Sequence, residues 1–156
     1  MHPLYERPGF LLRRAHQISS AIFENACAEL SLTPAQYGVL NLVNEHAGID
    51  QTSLARALAF DKVTVLRVLK GLEERGLCLR TEGALDRRQM SVRLTPAGRR
   101  LLQRAQKPVQ HAYDALMQPL KPQEQRQLIA LLQKINQSLE PHAKASFVPL
   151  DADSNF

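Results

Sequence analysis

The chain has no tryptophan, only two cysteines, and aromatic residues at 5% of its 156 positions. Each shortage excludes something. Cys27 and Cys78 lie far apart and without C-x-x-C spacing, so they form neither a disulfide framework nor a thiolate metal centre, and two free thiols of a reducing compartment are expected. The histidines (His2, His16, His46, His111 and His142) never fall into the H-x₃₋₅-H spacing of a zinc site. There is no nucleophile elbow, no phosphate-cradling glycine loop and no pair of acids suited to one cleft. The sequence therefore indicates no enzyme class, no metal and no cofactor. No apolar run approaches the roughly 18 residues of a membrane span. The start, Met1-His2-Pro3-Leu4-Tyr5-Glu6-Arg7, lacks the apolar segment of a secretory signal. Together these point to a cytoplasmic protein without a membrane partner.

What is present is positive charge, unevenly spread. The net charge is +5, and residues 51–100 alone hold eleven Lys and Arg against five acids, a net of +6. A basic middle third favours a polyanionic partner. The length suits one domain with an extension, and 44% hydrophobic content suffices for a core.

Capping signals divide the chain into helices. Leu11, Ala15, Ile18, Ile22 and Ala26 form one stripe of a long helix over 10–30, broadened by Phe10, Leu12, Phe23 and Leu30 until it needs partners on two sides. Thr33-Pro34-Ala35-Gln36 is a cap, a first-turn proline and a capping-box glutamine. The helix it starts runs to about Glu45. Asp50 caps a short helix over 51–58. After Ala59-Phe60, Asp61 caps the next, over 62–75, which Gly76 ends. Two helices so closely joined match helix-turn-helix spacing. Residues 77–80 and 90–94 read as short strands, and their connection carries Asp86-Arg87-Arg88. Thr95-Pro96 starts a helix toward Gln118 that Pro108 is expected to kink or break. A last helix over 122–139 has Leu128, Leu131, Leu132, Ile135 and Leu139 in phase, with Lys121 a poor cap. From Pro141 a mobile tail, 141–156, is expected. The fold class is mainly α with a small β-hairpin wing: a winged helix-turn-helix module over 33–95 and a helical subdomain from 10–30 and 96–139. The apolar stripes of that subdomain are too broad for three helices alone and imply a homodimer.

The basic helix has the chemistry of a DNA reader. If Leu66, Leu69 and Leu72 with Val65 face inward, then Lys62, Val63, Thr64, Arg67, Lys70 and Gly71 face out. Arg67 can grip a guanine edge, Thr64 and Val63 can meet a base edge or a thymine methyl, and Lys62 and Lys70 suit phosphates. At the wing, Arg88 suits a narrow minor groove, Asp86 can orient its guanidinium, and Arg87 can meet phosphate. Taken singly, a wetted amphipathic helix or a surface turn fits each piece; in combination they favour double-stranded DNA. A winged helix used for protein contacts remains the other reading.

The combination resembles the MarR family of winged-helix regulators. Asp86-x-Arg88 followed by Leu94-Thr95-x-x-Gly98 is similar to its wing signature. Leu72-Glu73-x-x-Gly76-Leu77 and Thr33-Pro34-x-Gln36-Tyr37-x-x-Leu40 match its neighbouring segments, and the resemblance spans about 10–140. It implies an obligate dimer, a palindromic operator, and repression relieved by a small ligand, with Arg88 in the role of the minor-groove arginine and Asp86 orienting it. Residues Pro8 to Gln17 further resemble members that answer to aromatic acids of hydroxynicotinate, benzoate or cinnamate type. An aromatic carboxylate needs an Arg or His beside an aromatic wall. Arg14, His16, Tyr37, His111 and Tyr113 are the candidates, although each also has an ordinary structural reading. Redox sensing through Cys27 is a further alternative, but a sensing thiol needs a nearby cation, and Glu24 and Glu29 stand there instead.

Overall fold

A computed structural model describes residues 2–83 and 89–150 of the chain. Six α-helices and a two-stranded antiparallel hairpin follow in the order α1 (Pro8–Ala26), α2 (Pro34–Glu45), α3 (Gln51–Ala57), α4 (Lys62–Glu74), β1 (Cys78–Glu82), β2 (Met90–Leu94), α5 (Pro96–Met117) and α6 (Pro122–Leu139). The wing therefore begins with a longer first strand than the sequence indicates, and Cys78 pairs with Leu94 through to Glu82 with Met90. The Gly83 N–H donates to the Gln89 carbonyl at 2.6 Å and closes the base of the wing loop. Residues 48–50 add a third edge. Gly48 N–H donates to Val92 O and Val92 N–H to Ile49 O, both at 2.9 Å, and Asp50 bridges Ser91.

The caps act as their residue types dictate. Thr33 Oγ1 accepts from the Gln36 N–H, and Gln36 Oε1 accepts in return from the Thr33 N–H at 3.2 Å. Asp50 accepts from the Thr52 and Ser53 N–H groups at 2.9 Å and from the Ser53 hydroxyl. At α6 the N3 residue does what Lys121 cannot, and the Glu124 carboxylate accepts from the Lys121 N–H at 2.7 Å. Burial raises the Asp50 carboxyl, but the hydrogen bonds from Ser53 and Thr52 and the charge of Arg56 outweigh it, so its pKa is lowered. A lowered carboxyl contributes stability above its unfolded pKa and loses it as pH falls through the folded one. Asp50→Asn keeps a capping oxygen but loses the charge at the helix start, so it is expected to melt lower than wild type at pH 7 by the equivalent of about 0.3–1 kcal/mol, with the difference shrinking below about pH 4. Thermal melts at pH 7 and pH 3 check this.

The core lies under the winged-helix module and the α1–α5 junction. Leu40, Leu54, Leu69, Leu72, Val39, Val65 and Val92 are fully buried there. Two sequence expectations change. The buried stripe of α4 is Val65, Val68, Leu69 and Leu72, an i, i+3, i+4, i+7 set, while Leu66 sits at its edge, half-buried. And α5 runs unbroken through Pro108. Leu101, Leu102 and Ala105 before the proline, and Val109 and Ala112 after it, keep one buried stripe against the rest of the core. The carbonyl deprived of a partner belongs to Arg104, which is exposed and borders an open groove with Pro108, so water can take its place.

Helix α6 contrasts with all of this: none of its residues is buried. Leu128, Ile129, Leu131, Ile135 and Leu139 are 38–53% exposed. Leu4 and Tyr5, in a 3₁₀ turn before α1, and Leu11, Leu12 and Ile18 of α1 are likewise exposed. Past α6, residues 143–150 run back over α3, and Val148 N–H donates to the Arg56 carbonyl at 3.1 Å.

Candidate nucleic-acid interface and ligand groove

The α3–α4 corner is tight. Ala59 takes a left-handed conformation at φ 52°, and the Phe60 N–H returns to the Ala55 carbonyl at 2.9 Å. Asp61 then starts α4 by accepting from the Thr64 N–H at 2.6 Å. The Thr64 backbone and side chain together hold the exposed Asp61 carboxyl below its ordinary value. Lys62, Val63, Arg67 and Lys70 project outward from this helix. Val63 is 75% exposed, more than any other large apolar residue described, at the N-terminal end that a groove-reading helix presents to bases. Thr64 is half-buried beside its cap, so it is the most inward of the five. Lys70 stands 3.9 Å from Glu74, a loose exposed pair that leaves it available.

The charge excess of the middle third divides in two. Arg75 donates to the Ser31 and Leu30 carbonyls, both at 2.8 Å, and ties α4 to the turn before α2. Arg80 of β1 grips Glu73 of α4 at 2.6 and 2.9 Å and reaches Gln51 of α3 at 3.3 Å. Arg99 donates to the Leu94 carbonyl at 3.0 Å. These arginines brace the scaffold and were not separable by sequence from those facing outward. The Arg80–Glu73 pair ties the wing's first strand to α4. The wing-tip candidates Asp86, Arg87 and Arg88 lie outside the described residues.

The five ligand candidates do not gather in one place within a chain. His16 lines a groove of about 440 Å³ with Ser20 and Glu24 of α1, Thr33 to Ala35 and Gly38 around the start of α2, and Leu58 and Phe60. That size lies in the range of small-molecule sites. Tyr37 and Tyr113 instead meet near Cys27. Burial raises both phenols; Cys27 and Glu45 raise Tyr37 further, and Tyr37 and Cys27 raise Tyr113. Tyr37 also packs on Phe23, with ring centroids 5.8 Å apart. Arg14 and His111 are exposed, two residues from His16 and Tyr113 on their helices, and so face away from them. Both thiols are fully buried; burial raises Cys27, and raises Cys78 to about 11. Protonated, enclosed thiols are poor redox sensors.

Comparison with known proteins decides the family. Residues 32–90, which contain the helix-turn-helix and most of the wing, match the MarR family model. The chain is 30% identical to a putative transcriptional regulatory protein for the hcr operon of Thauera aromatica, over 81% of this chain and 77% of that one. The chain belongs to the MarR family. Among solved structures, the repressor CouR bound to a 23-mer DNA duplex superposes with a TM-score of 0.80 at 36% identity, over 86% of this chain and 96% of that one. BpsR of Bordetella bronchiseptica, whose DNA binding is regulated by 6-hydroxynicotinic acid, superposes with a TM-score of 0.80 at 32% identity, over 85% and 94%. The MarR-type protein is thus a transcriptional regulator with a winged-helix DNA-binding fold, and its relatives are regulators rather than enzymes. No helix among the described residues is long and apolar enough to cross a membrane, and no group of His, Cys, Asp and Glu among them could hold a metal ion.

Proposed function

We propose that the chain works as a homodimeric repressor that grips a pseudo-palindromic operator and releases it on binding a small aromatic acid. The observation that carries this reading is the pairing of an outward, cationic α4 face with an α6 none of whose residues is fully buried within its own chain. Two-fold symmetry would set two α4 helices into successive major grooves, roughly 34–36 Å apart. Arg67 would read a guanine, Val63 and Thr64 a base edge or methyl, and Lys62 and Lys70 would hold phosphates. Arg88, oriented by Asp86, would enter the flanking minor groove, with Arg87 on phosphate.

The His16 groove supports the ligand step. It lies between α1, which belongs to the dimer body, and α2 with the α3–α4 corner, which belongs to the reading module. A ligand there would shift the two bodies against each other, and a change of a few ångströms in α4 separation would cost the operator register. Phe60 and Leu58 supply an apolar wall and His16 a donor for a carboxylate. Within one chain the other candidates, Tyr37, Tyr113, Arg14 and His111, do not line this groove. CouR, solved with DNA, and BpsR, responsive to an aromatic acid, are the relatives that favour the same behaviour here.

Arg88→Ala is expected to weaken binding of the upstream duplex by about five- to 150-fold for each half-site, as about 1–3 kcal/mol per lost arginine contact implies, without changing the oligomeric state. A gel-shift titration with unchanged affinity would remove the wing from the interface.

A further inference from the structure

Beyond α6 the chain turns back through a 3₁₀ turn, Glu140–His142. The Phe147 N–H donates to the Glu140 carboxylate at 2.8 Å, Val148 is pinned to the Arg56 carbonyl, and Leu150 packs against the core. Lys144, Ala145 and Ser146 thereby form one wall of a groove of about 410 Å³. Its other walls are Gln51, Thr52 and Arg56 of α3, Phe60, and Asp61, Lys62 and Val65 at the start of α4. Three cations border it: Arg56, Lys62 and Lys144. All are exposed, and among the described residues none forms an ion pair. The one acid of the groove, Asp61, is occupied in capping α4.

We propose that Lys144, together with Arg56 and Lys62, holds a DNA backbone phosphate beside the start of α4, so that the C-terminal segment extends the DNA interface. This rests on the reading of α4 as the helix that enters the major groove. A groove flanking the first turn of such a helix faces the sugar–phosphate strand at the groove's edge. Charge decides between helping and blocking DNA. The two acids of the C-terminal segment, Asp151 and Asp153, come after Leu150, whereas the stretch that walls the groove, Lys144 to Ser146, contributes only the cation of Lys144, so this wall complements a phosphate and does not imitate one. The contact sets position and strength, not sequence choice.

Fluorescence anisotropy tests this, using a labelled duplex from the chain's own upstream region and a random duplex of equal length, between 50 and 200 mM salt. Wild type is compared with Lys144→Ala and with a chain ending at Ala143. Lys144→Ala should weaken binding to both duplexes alike. It should also flatten the slope of log affinity against log salt by about 0.9 per phosphate, or about 1.8 for two copies. The wild-type advantage then grows about tenfold from 200 to 50 mM salt. Because Lys144 is exposed, its substitution leaves the fold intact even if the truncated chain is unstable. Unchanged affinity and slope in Lys144→Ala overturn the proposal while the α4 reading stands. Tighter binding by the truncated chain overturns it in favour of a blocking segment. A wild-type chain that binds neither duplex overturns both.

Discussion

A glutamate at position 135 is expected to split the protein into monomers and abolish operator binding. Within its own chain α6 leaves Leu128, Leu131, Ile135 and Leu139, which repeat at i, i+3, i+7 and i+11 along one face, 38–53% exposed, with only Ala59 and the returning C-terminal segment around Phe147 beside Ile135 and Leu139. Such a stripe needs a second surface. Covering one Leu or Ile is worth about 1.5–3 kcal/mol, and a dimer covers each twice. Ile135→Glu replaces that gain by the desolvation of a carboxylate in the same place, also twice. Because Ile135 is already 45% exposed in the isolated chain, the substitution leaves the monomer's own core untouched. Sedimentation should show the mass fall from twice 17.5 kDa to 17.5 kDa. Operator affinity should fall by about a thousandfold or more, since one half-site loses the gain of binding both together. A wild-type chain that sediments as a monomer, or an Ile135→Glu chain that remains a dimer, would contradict the role given to α6.

Gly98→Ala is expected to cost a large share of the stability, since of Gly9, Gly38, Gly48, Gly71, Gly76 and Gly98 it is the one whose added Cβ meets backbone atoms closest. A Cβ there would stand 2.0 Å from the Leu77 carbonyl oxygen and 3.0 Å from its carbon. Both sides of this contact are backbone, so no side chain can swing away. The same Leu77 carbonyl accepts from the Thr95 N–H at 3.1 Å, and the Thr95 hydroxyl donates to the Gly76 carbonyl at 2.7 Å while accepting from the Gly98 N–H at 3.0 Å. Pushing α5 away from Leu77 breaks that junction of α4, β1 and α5 together. Overpacking against rigid backbone with loss of such bonds is worth about 3 kcal/mol or more, a fall in Tm of roughly 6–12 °C for a chain of this size. Calorimetry on Gly98→Ala reads it directly. A melt within a degree or two of wild type would mean that α5 can slide freely, and that the wing base is not fixed as described. The glycine of the Leu94-Thr95-x-x-Gly98 motif is thus there for close helix–strand approach.

The helix starts were legible because the caps are local chemistry. Thr33, Asp50, Asp61 and Thr95 each accept from a backbone N–H two or three residues on, and nothing distant is needed to read that. What tertiary packing decides was less legible. Pro108 carries a breaking signal, yet the buried stripe on either side of it holds α5 in one piece. On α4, composition favours Leu66 as a core residue, but the geometry of the stripe selects Val68. The cationic face of α4 could be read from the helix period, whereas the bracing roles of Arg75, Arg80 and Arg99 depend on partners up to 45 residues away. For the ligand candidates, residue type suggested a set of which only His16 lines the α1–α2 groove, while Arg14 and His111 stand exposed on other faces of their helices. The backward course of residues 143–150 has no periodic signature at all, since it is fixed by single hydrogen bonds to Arg56 and Glu140.

The central claim is a ligand-relieved, dimeric DNA reader. It is tested most directly by titrating the purified protein onto a labelled duplex of its own upstream region, with and without a panel of single-ring aromatic acids. The account predicts saturable binding of two chains per operator, stronger than to a random duplex, and release by at least one of the acids. Binding no tighter than to the random duplex, at low salt and without ligand, would contradict it.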